Sequence, residues 1–127
     1  MARGALDASA LLALILGEPG GATADAASDG GVVSAVNWSE VEQRLMDLGH
    51  DPHPQRVRLI AGGLTIHAFD LDDAHGTAVL RHPTRALGLS LADRACLALA
   101  GRLGVPAYTA DRRWAGLDLG IEIVVIR

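Results

Sequence analysis

A chain of 127 residues, half of them apolar, is long enough for one domain, residues 1–127, with its own hydrophobic core, and too hydrophobic to be disordered. A net charge of −4 does not advertise a nucleic-acid-coating surface; all 11 cationic side chains are Arg, whose planar fork suits phosphate, although a GC-rich coding bias is the more ordinary account of that usage. No apolar run reaches the roughly 18 residues of a membrane span. The stretch 8–16, flanked by Asp7 and Glu18, lacks the basic start of a signal peptide, and the single Cys96 fits a buried thiol in a reducing cytoplasm.

The chain alternates short apolar runs with helical periodicity. Residues 4–6 form a first strand, and 8–16 a helix stopped by Gly17, Pro19, Gly20 and Gly21. A short helix covers 22–28. The run 31–35 (GVVSA) is a second strand. Residues 38–48 are a helix, with Val41, Leu45 and Leu48 at helical spacing and Gly49 ending it. After a Pro-rich turn, 54–61 is helical. The alternating run 64–69 (LTIHAF) is a strand and 71–81 a helix. Residues 91–103 form a helix ended by Gly104, 105–109 (VPAYT) a strand with its proline near the start, and 121–126 (IEIVVI) the last strand. Strands separated by helices predict an α/β fold: a mostly parallel central sheet with helices on both faces.

Four acids sit where strand-like runs pass into helices or loops: Asp7, Glu40, Asp93 and Asp111. In a parallel sheet those junctions share one edge, at the carboxyl ends of the strands, where such folds bind ligands. Each acid also has an ordinary structural account. Asp7 is a good N-cap, a job Ser9 is placed to share. Asn37 and Glu40 read as a capping box, as do Ser90 and Asp93, and Asp111 suits a turn. Capping alone does not require four acids, because Ser, Thr and Asn cap equally well. Carboxylates brought together without a cationic partner repel one another, which favours a hard divalent cation and metal-dependent phosphodiester chemistry.

Taken in order, Asp7 with Ser9 in DASALLAL, SAVNWSE ending at Glu40, Asp93 in SLADRACLALA and Asp111 in YTADRRW resemble the PIN domain, and among its members the VapC-type toxins. The resemblance covers essentially the whole chain. It implies a three-layer α/β/α fold and a Mg²⁺- or Mn²⁺-dependent endoribonuclease, with Asp7, Glu40, Asp93 and Asp111 as the catalytic, metal-binding quartet and Ser9 and Thr109 supporting it. It further implies a cognate antitoxin as partner, an RNA substrate and a homodimer. The apolar face of helix 38–48 and the segment 54–61 are the candidate dimer surfaces. A binding module of the same fold without catalysis, and a DNA nuclease, are the rival readings.

Other residues carry less. Arg94, Arg112 and Arg113 adjoin the acids in sequence and are placed to steer an RNA backbone, or are plain surface arginines. Trp38 and Trp114 suit base stacking but more commonly serve as packing anchors. His50 and His53 form an H-x-x-H pair two ligands short of a zinc site. His67 reads as a strand residue at the core or the edge. GEPGG lacks the following GK[ST] of a phosphate loop, and the missing Lys also argues against a phosphorylation receiver domain.

Overall fold

The computed structural model describes residues 2–127. Its centre is a five-stranded sheet built from β1 (Ala5–Leu6), β2 (Val32–Ser34), β3 (Thr65–His67), β4 (Ala107–Thr109) and β5 (Ile123–Val125). The strand order is β3-β2-β1-β4-β5, and every pairing is parallel. The helices are α1 (Ala8–Leu16), α2 (Gly21–Ser28), α3 (Ala35–Asp47), α4 (His53–Ala61), α5 (Leu71–Val79) and α6 (Leu91–Leu103).

Consecutive residues of a strand point to opposite faces, so each two-residue pair of the central strands feeds both cores. Leu6 and Val33 pack with Leu11, Ala13, Ala24, Trp38, Val41, Leu45 and Leu59 from α1 to α4. Ala5, Val32 and Ala107 pack on the other side with Cys96, Leu97, Leu99 and Ala100 of α6 and with Trp114. The result is the expected three-layer α/β/α arrangement, with α5 lying against α6 in the second layer. Small residues allow close layers: a Cβ on Gly31 would run into the Ala27 carbonyl and the Leu6 side chain.

Every element read from the sequence is present, and the differences lie at the ends. The strands are shorter than the apolar runs that contain them. Helix α3 begins at Ala35, three residues before the expected start, because Ser34 at the end of β2 caps it by accepting the Val36 N–H. Two 3₁₀ turns, Arg85–Leu87 and Arg112–Gly116, fill stretches with no hydrophobic period. Trp38 and Trp114 are both buried, so they anchor packing and do not stack on bases. Cys96 is buried as expected, and burial pushes its thiol well above the usual range. Among the described residues no helix is long and apolar enough to cross a membrane.

Candidate functional site

The parallel sheet brings Asp7 after β1, Asp111 after β4 and the start of α3 after β2 to one edge. Asp7, Glu40, Asp93 and Asp111 line one cleft there, about 390 Å³ in volume, together with Ala8, Ser9, Leu12, Gln43, Arg44 and Asp47. The four acids read from the sequence are therefore brought together.

Asp7 is the best-held member. It is 5 % exposed and N-caps α1, its Oδ1 accepting the Ala10 N–H at 2.9 Å and the Ser9 hydroxyl at 2.7 Å. The Thr109 hydroxyl, at the end of β4, donates to Oδ2 at 2.6 Å. Ser9 and Thr109 are fixed in turn: Ser9 Oγ accepts the Ala110 N–H at 2.9 Å, and Thr109 Oγ1 accepts the Asp111 N–H at 3.0 Å. The two hydroxyls thus lace the end of β1 to the end of β4. Burial pushes the Asp7 carboxyl above its ordinary pKa. Hydrogen bonds from Thr109, Ser9 and Ala10 oppose that shift, and the Asp93 charge adds to it.

Glu40 is placed differently from its sequence reading. Asn37 is not a cap; it lies within α3, fully buried, and its amide donates to the Ala92 carbonyl at 3.0 Å and to Glu40 Oε1 at 3.5 Å. The expected Asn37–Glu40 capping box fails because Ser34 already caps the helix one turn earlier. Glu40 therefore sits in the second turn, reaching into the cleft from its wall. Burial raises its pKa, Asn37 counteracts, and the nearby Asp93 and Asp7 charges raise it further.

The second box is present as read: Ser90 Oγ accepts the Asp93 N–H at 3.1 Å and Asp93 Oδ2 accepts the Ser90 N–H at 3.0 Å. This fixes Asp93 in the first turn of α6, where the helix dipole favours a carboxylate.

Asp111 departs from the picture of acids without a cationic partner. It caps the 3₁₀ turn Arg112–Gly116 through the Arg113 N–H, and the Arg113 side chain grips both its oxygens, Nη2 to Oδ2 at 2.7 Å and Nε to Oδ1 at 3.1 Å. That fork holds the Asp111 carboxyl below its ordinary pKa. The remaining three acids have no cation among the described residues at hydrogen-bond distance.

The arginines singled out in the sequence are not free to steer a backbone. Arg94 is buried with Nη1 donating to the Thr77 carbonyl at 2.9 Å, because its position on α6 faces α5 rather than the cleft. Arg113 is held on Asp111, and Arg112 Nε donates to the Arg127 carbonyl. Gln43, Arg44 and Asp47 were missed. The signal was available: with Glu40 they occupy positions i, i+3, i+4 and i+7, one polar stripe of α3 next to its buried stripe of Asn37, Trp38, Val41 and Leu45.

The PIN domain family model matches residues 5–119. The chain belongs to the PIN domain family. Three solved structures share the PIN fold seen here. A toxin–antitoxin complex from Klebsiella pneumoniae aligns at TM-score 0.76 and 23 % identity, covering 98 % of each chain. A DNA-bound VapBC from Salmonella typhimurium aligns at TM-score 0.67 and 15 % identity, again over 98 % of each chain. A Pyrobaculum aerophilum protein aligns at TM-score 0.58 and 20 % identity, over 98 % of this chain and 92 % of that one. No curated protein sequence matches the chain. At these identities the structural likeness establishes the fold, and the PIN assignment rests on the family model.

The donor set of the PIN cleft consists of hard oxygens, with no Cys or His lining it. Such a set suits a hard divalent cation. Burial and neighbouring carboxylate charges disfavour the ionised forms of Asp7 and Glu40, and a cation beside them would favour those forms. Among the described residues no three Asp, Glu, His or Cys side chains converge closely enough to ligate one ion directly. Mg²⁺ tolerates that arrangement, since it keeps several waters and takes one or two carboxylates directly. The residues fit a hydrated divalent cation.

Proposed function

We propose that this chain is a metal-dependent endoribonuclease, the VapC-type toxin of a toxin–antitoxin pair. The observation that carries the reading is the convergence of Asp7, Glu40, Asp93 and Asp111 on one cleft at the carboxyl edge of the parallel sheet. Membership of the PIN family, whose members are generally nucleases, and the fold shared with two toxin–antitoxin complexes support it.

In this reading Asp7 and Asp93 hold the cation, with Asp111 and Glu40 completing its surroundings through water. Bound there, a divalent cation supplies Lewis acidity: it lowers the pKa of a coordinated water and offsets charge on the scissile phosphate. The chain's own residues supply order. Ser9 and Thr109 fix the Asp7 carboxylate so that it cannot rotate away, which leaves little reorganisation for the reaction. Glu40 has one oxygen near the Asn37 amide and the other, Oε2, without a hydrogen bond to any described residue. Its raised pKa suits it to orient the attacking water and take its proton. Attack of that water in line with the 3′ oxygen breaks the P–O3′ bond, leaving a 3′-hydroxyl on the upstream fragment and a 5′-phosphate on the downstream one.

The antitoxin partner, the RNA substrate and a homodimer belong to the same proposal. The dimer surface needs revision from the sequence reading, because Trp38, Val41 and Leu45 of α3 are spent on the internal core. Met46, Leu48, Val57 and Ile60, exposed on α3 and α4 and at the end of α3, are the residues of that region still available to a second copy.

The test is incubation of the purified chain, free of antitoxin, with defined single-stranded RNAs in Mg²⁺ or Mn²⁺, beside EDTA and Asp7→Asn controls, with the product ends analysed. Cleavage that both controls abolish, leaving 5′-phosphate and 3′-hydroxyl ends, supports the reading. A 2′,3′-cyclic phosphate rejects the mechanism. A folded chain that binds antitoxin and cuts no RNA favours a binding module.

A further inference from the structure

The cleft holds one cation that the acidic quartet does not explain. Arg44 lines it beside Glu40, Gln43 and Asp47, yet its guanidinium makes no ion pair with any described residue. Glu40 and Arg44 stand at i and i+4, a spacing at which acid and base on a helix ordinarily pair. They do not pair here. Glu40 turns toward the Asn37 amide, and Arg44 keeps its five donors unspent in a cleft lined by five carboxylates. Every other arginine adjoining the site acids is committed: Arg94 to the Thr77 carbonyl, Arg112 to the Arg127 carbonyl, Arg113 to Asp111.

We propose that Arg44 is a positioning residue for substrate: it grips, as a fork, a backbone phosphate flanking the one cut at Asp7 and Glu40. This deepens the nuclease reading of the cleft and rests on it. Arg44 lies about 6 Å along the helix axis from Glu40. It therefore reaches a phosphate next to the scissile position rather than the reacting atoms themselves. An overall acidic chain needs such a contact, because the carboxylates that hold a cation repel the rest of the RNA backbone. The position of Arg44 in the last turn of α3 also complements the helix dipole, a structural duty that Lys performs equally well.

The experiment separates the two duties and also separates this inference from its parent. Binding of a fluorescein-labelled single-stranded RNA is followed by anisotropy across a salt series, in Mn²⁺ and in an Asp7→Asn background that prevents cutting. Arg44→Gln, Arg44→Lys and a control, Arg58→Gln, are compared. Arg58 is exposed in the last turn of α4, outside the cleft. Arg44→Gln is expected to weaken binding roughly tenfold, with the salt slope of log K lowered by about 0.7 for the lost phosphate contact. Arg44→Lys is expected to keep the slope and recover part of the affinity, and Arg58→Gln to change neither. In the cleaving background Arg44→Gln raises KM more than it lowers kcat. If the otherwise wild-type chain cuts RNA, Asp7→Asn abolishes cutting, and Arg44→Gln binds and cuts as before, the Arg44 assignment is overturned and the nuclease reading stands. If the wild-type chain neither binds nor cuts RNA, both fall together.

Discussion

Removing the charge of Asp7 while keeping its shape asks whether this site trades stability for function. Asp7 is 5 % exposed. Ionising a group so placed costs several kcal/mol in desolvation. Three hydrogen bonds to the carboxylate, from Ala10, Ser9 and Thr109, return about 1.5–3 kcal/mol each at most. The raised pKa says that desolvation wins, and each unit of such a rise is about 1.4 kcal/mol against the charged form. Asn is as good an N-cap as Asp and has nearly the same volume. In EDTA at pH 7, Asp7→Asn is therefore expected to be more stable than wild type by about 1–3 kcal/mol. For a domain of this size that is a Tm higher by roughly 3–12 °C. The sign with pH follows from linkage. A carboxyl whose folded pKa is raised carries no penalty below its unfolded value near 3.9, and the full penalty above its folded value. The advantage of Asp7→Asn is thus complete above the folded pKa and shrinks as pH falls through it. Mn²⁺ at ten times its Kd adds about 1.4 kcal/mol to the wild type and less to the variant. Thermal unfolding of both proteins, with and without Mn²⁺, provides the check. A lower Tm for Asp7→Asn in EDTA would refute the buried-charge argument, and equal Mn²⁺ shifts would remove Asp7 from the cation's ligands.

Three further outcomes are expected. Thr109→Val deletes the 2.6 Å donation to Asp7 and the acceptor of the Asp111 N–H. It is expected to destabilise by about 1–3 kcal/mol in urea unfolding. It also raises the Asp7 pKa further, which moves the acid limb of a cleavage pH profile to higher pH; an unmoved limb speaks against Asp7 acting as its carboxylate. Trp114→Ala empties a fully buried site in the second layer and is expected to cost about 3–5 kcal/mol, read as a lower urea midpoint at unchanged m-value. Arg113→Gln releases Asp111, whose pKa then rises toward its ordinary value in an NMR titration. Because the wild-type Asp111 pKa is lowered, the stability it contributes is present above the unfolded value and lost as pH falls through the folded one, so the two proteins converge in acid.

The strand–helix alternation was legible because apolar period and Gly stops agree along most of the chain, as in residues 91–103 ended by Gly104. The convergence of four distant acids was legible too, since a parallel sheet places every strand-to-helix junction on one edge. Three kinds of information were not. Which residue caps α3 depends on where β2 ends: Ser34 and Asn37 both have capping side chains, and only the pairing of Ser34 with His67 in β3 makes the earlier one the terminus. Which arginine faces the cleft depends on helix rotation. Arg94 adjoins Asp93 in sequence but lies about 100° round the helix from it, against α5. The lock of Arg113 on Asp111 is a rotamer choice, with nothing in YTADRRW to distinguish it from two solvated side chains.

Capping and chemistry are not rival accounts of these acids. Helix and turn N-termini hold three of them, each through one oxygen: Asp7 Oδ1 on the Ala10 N–H, Asp93 Oδ2 on the Ser90 N–H, Asp111 Oδ1 on the Arg113 N–H. A backbone N–H favours the ionised carboxylate and fixes its plane, so capping lowers the energy needed to gather like charges and pre-sets their direction. It also decides which oxygens are left. The second oxygen of Asp7 goes to Thr109 and that of Asp111 to Arg113, whereas Asp93 Oδ1 and Glu40 Oε2 have no hydrogen-bond partner among the described residues. A carboxylate oxygen that already accepts a hydrogen bond still has a lone pair for a cation, but one held by an arginine fork gives up that competitor first. Under the proposed function the order of engagement would follow from these bonds: Asp93 and Asp7 would take a cation as they stand, Glu40 would act through its free oxygen on water, and Asp111 would join only as Arg113 lets go. Single substitutions of the quartet are accordingly expected to be unequal in Mn²⁺ titrations followed by thermal shift, with Asp93→Asn and Asp7→Asn weakening binding most and Asp111→Asn least. Equal losses at all four positions would mean that the arginine fork does not hold Asp111 back in solution.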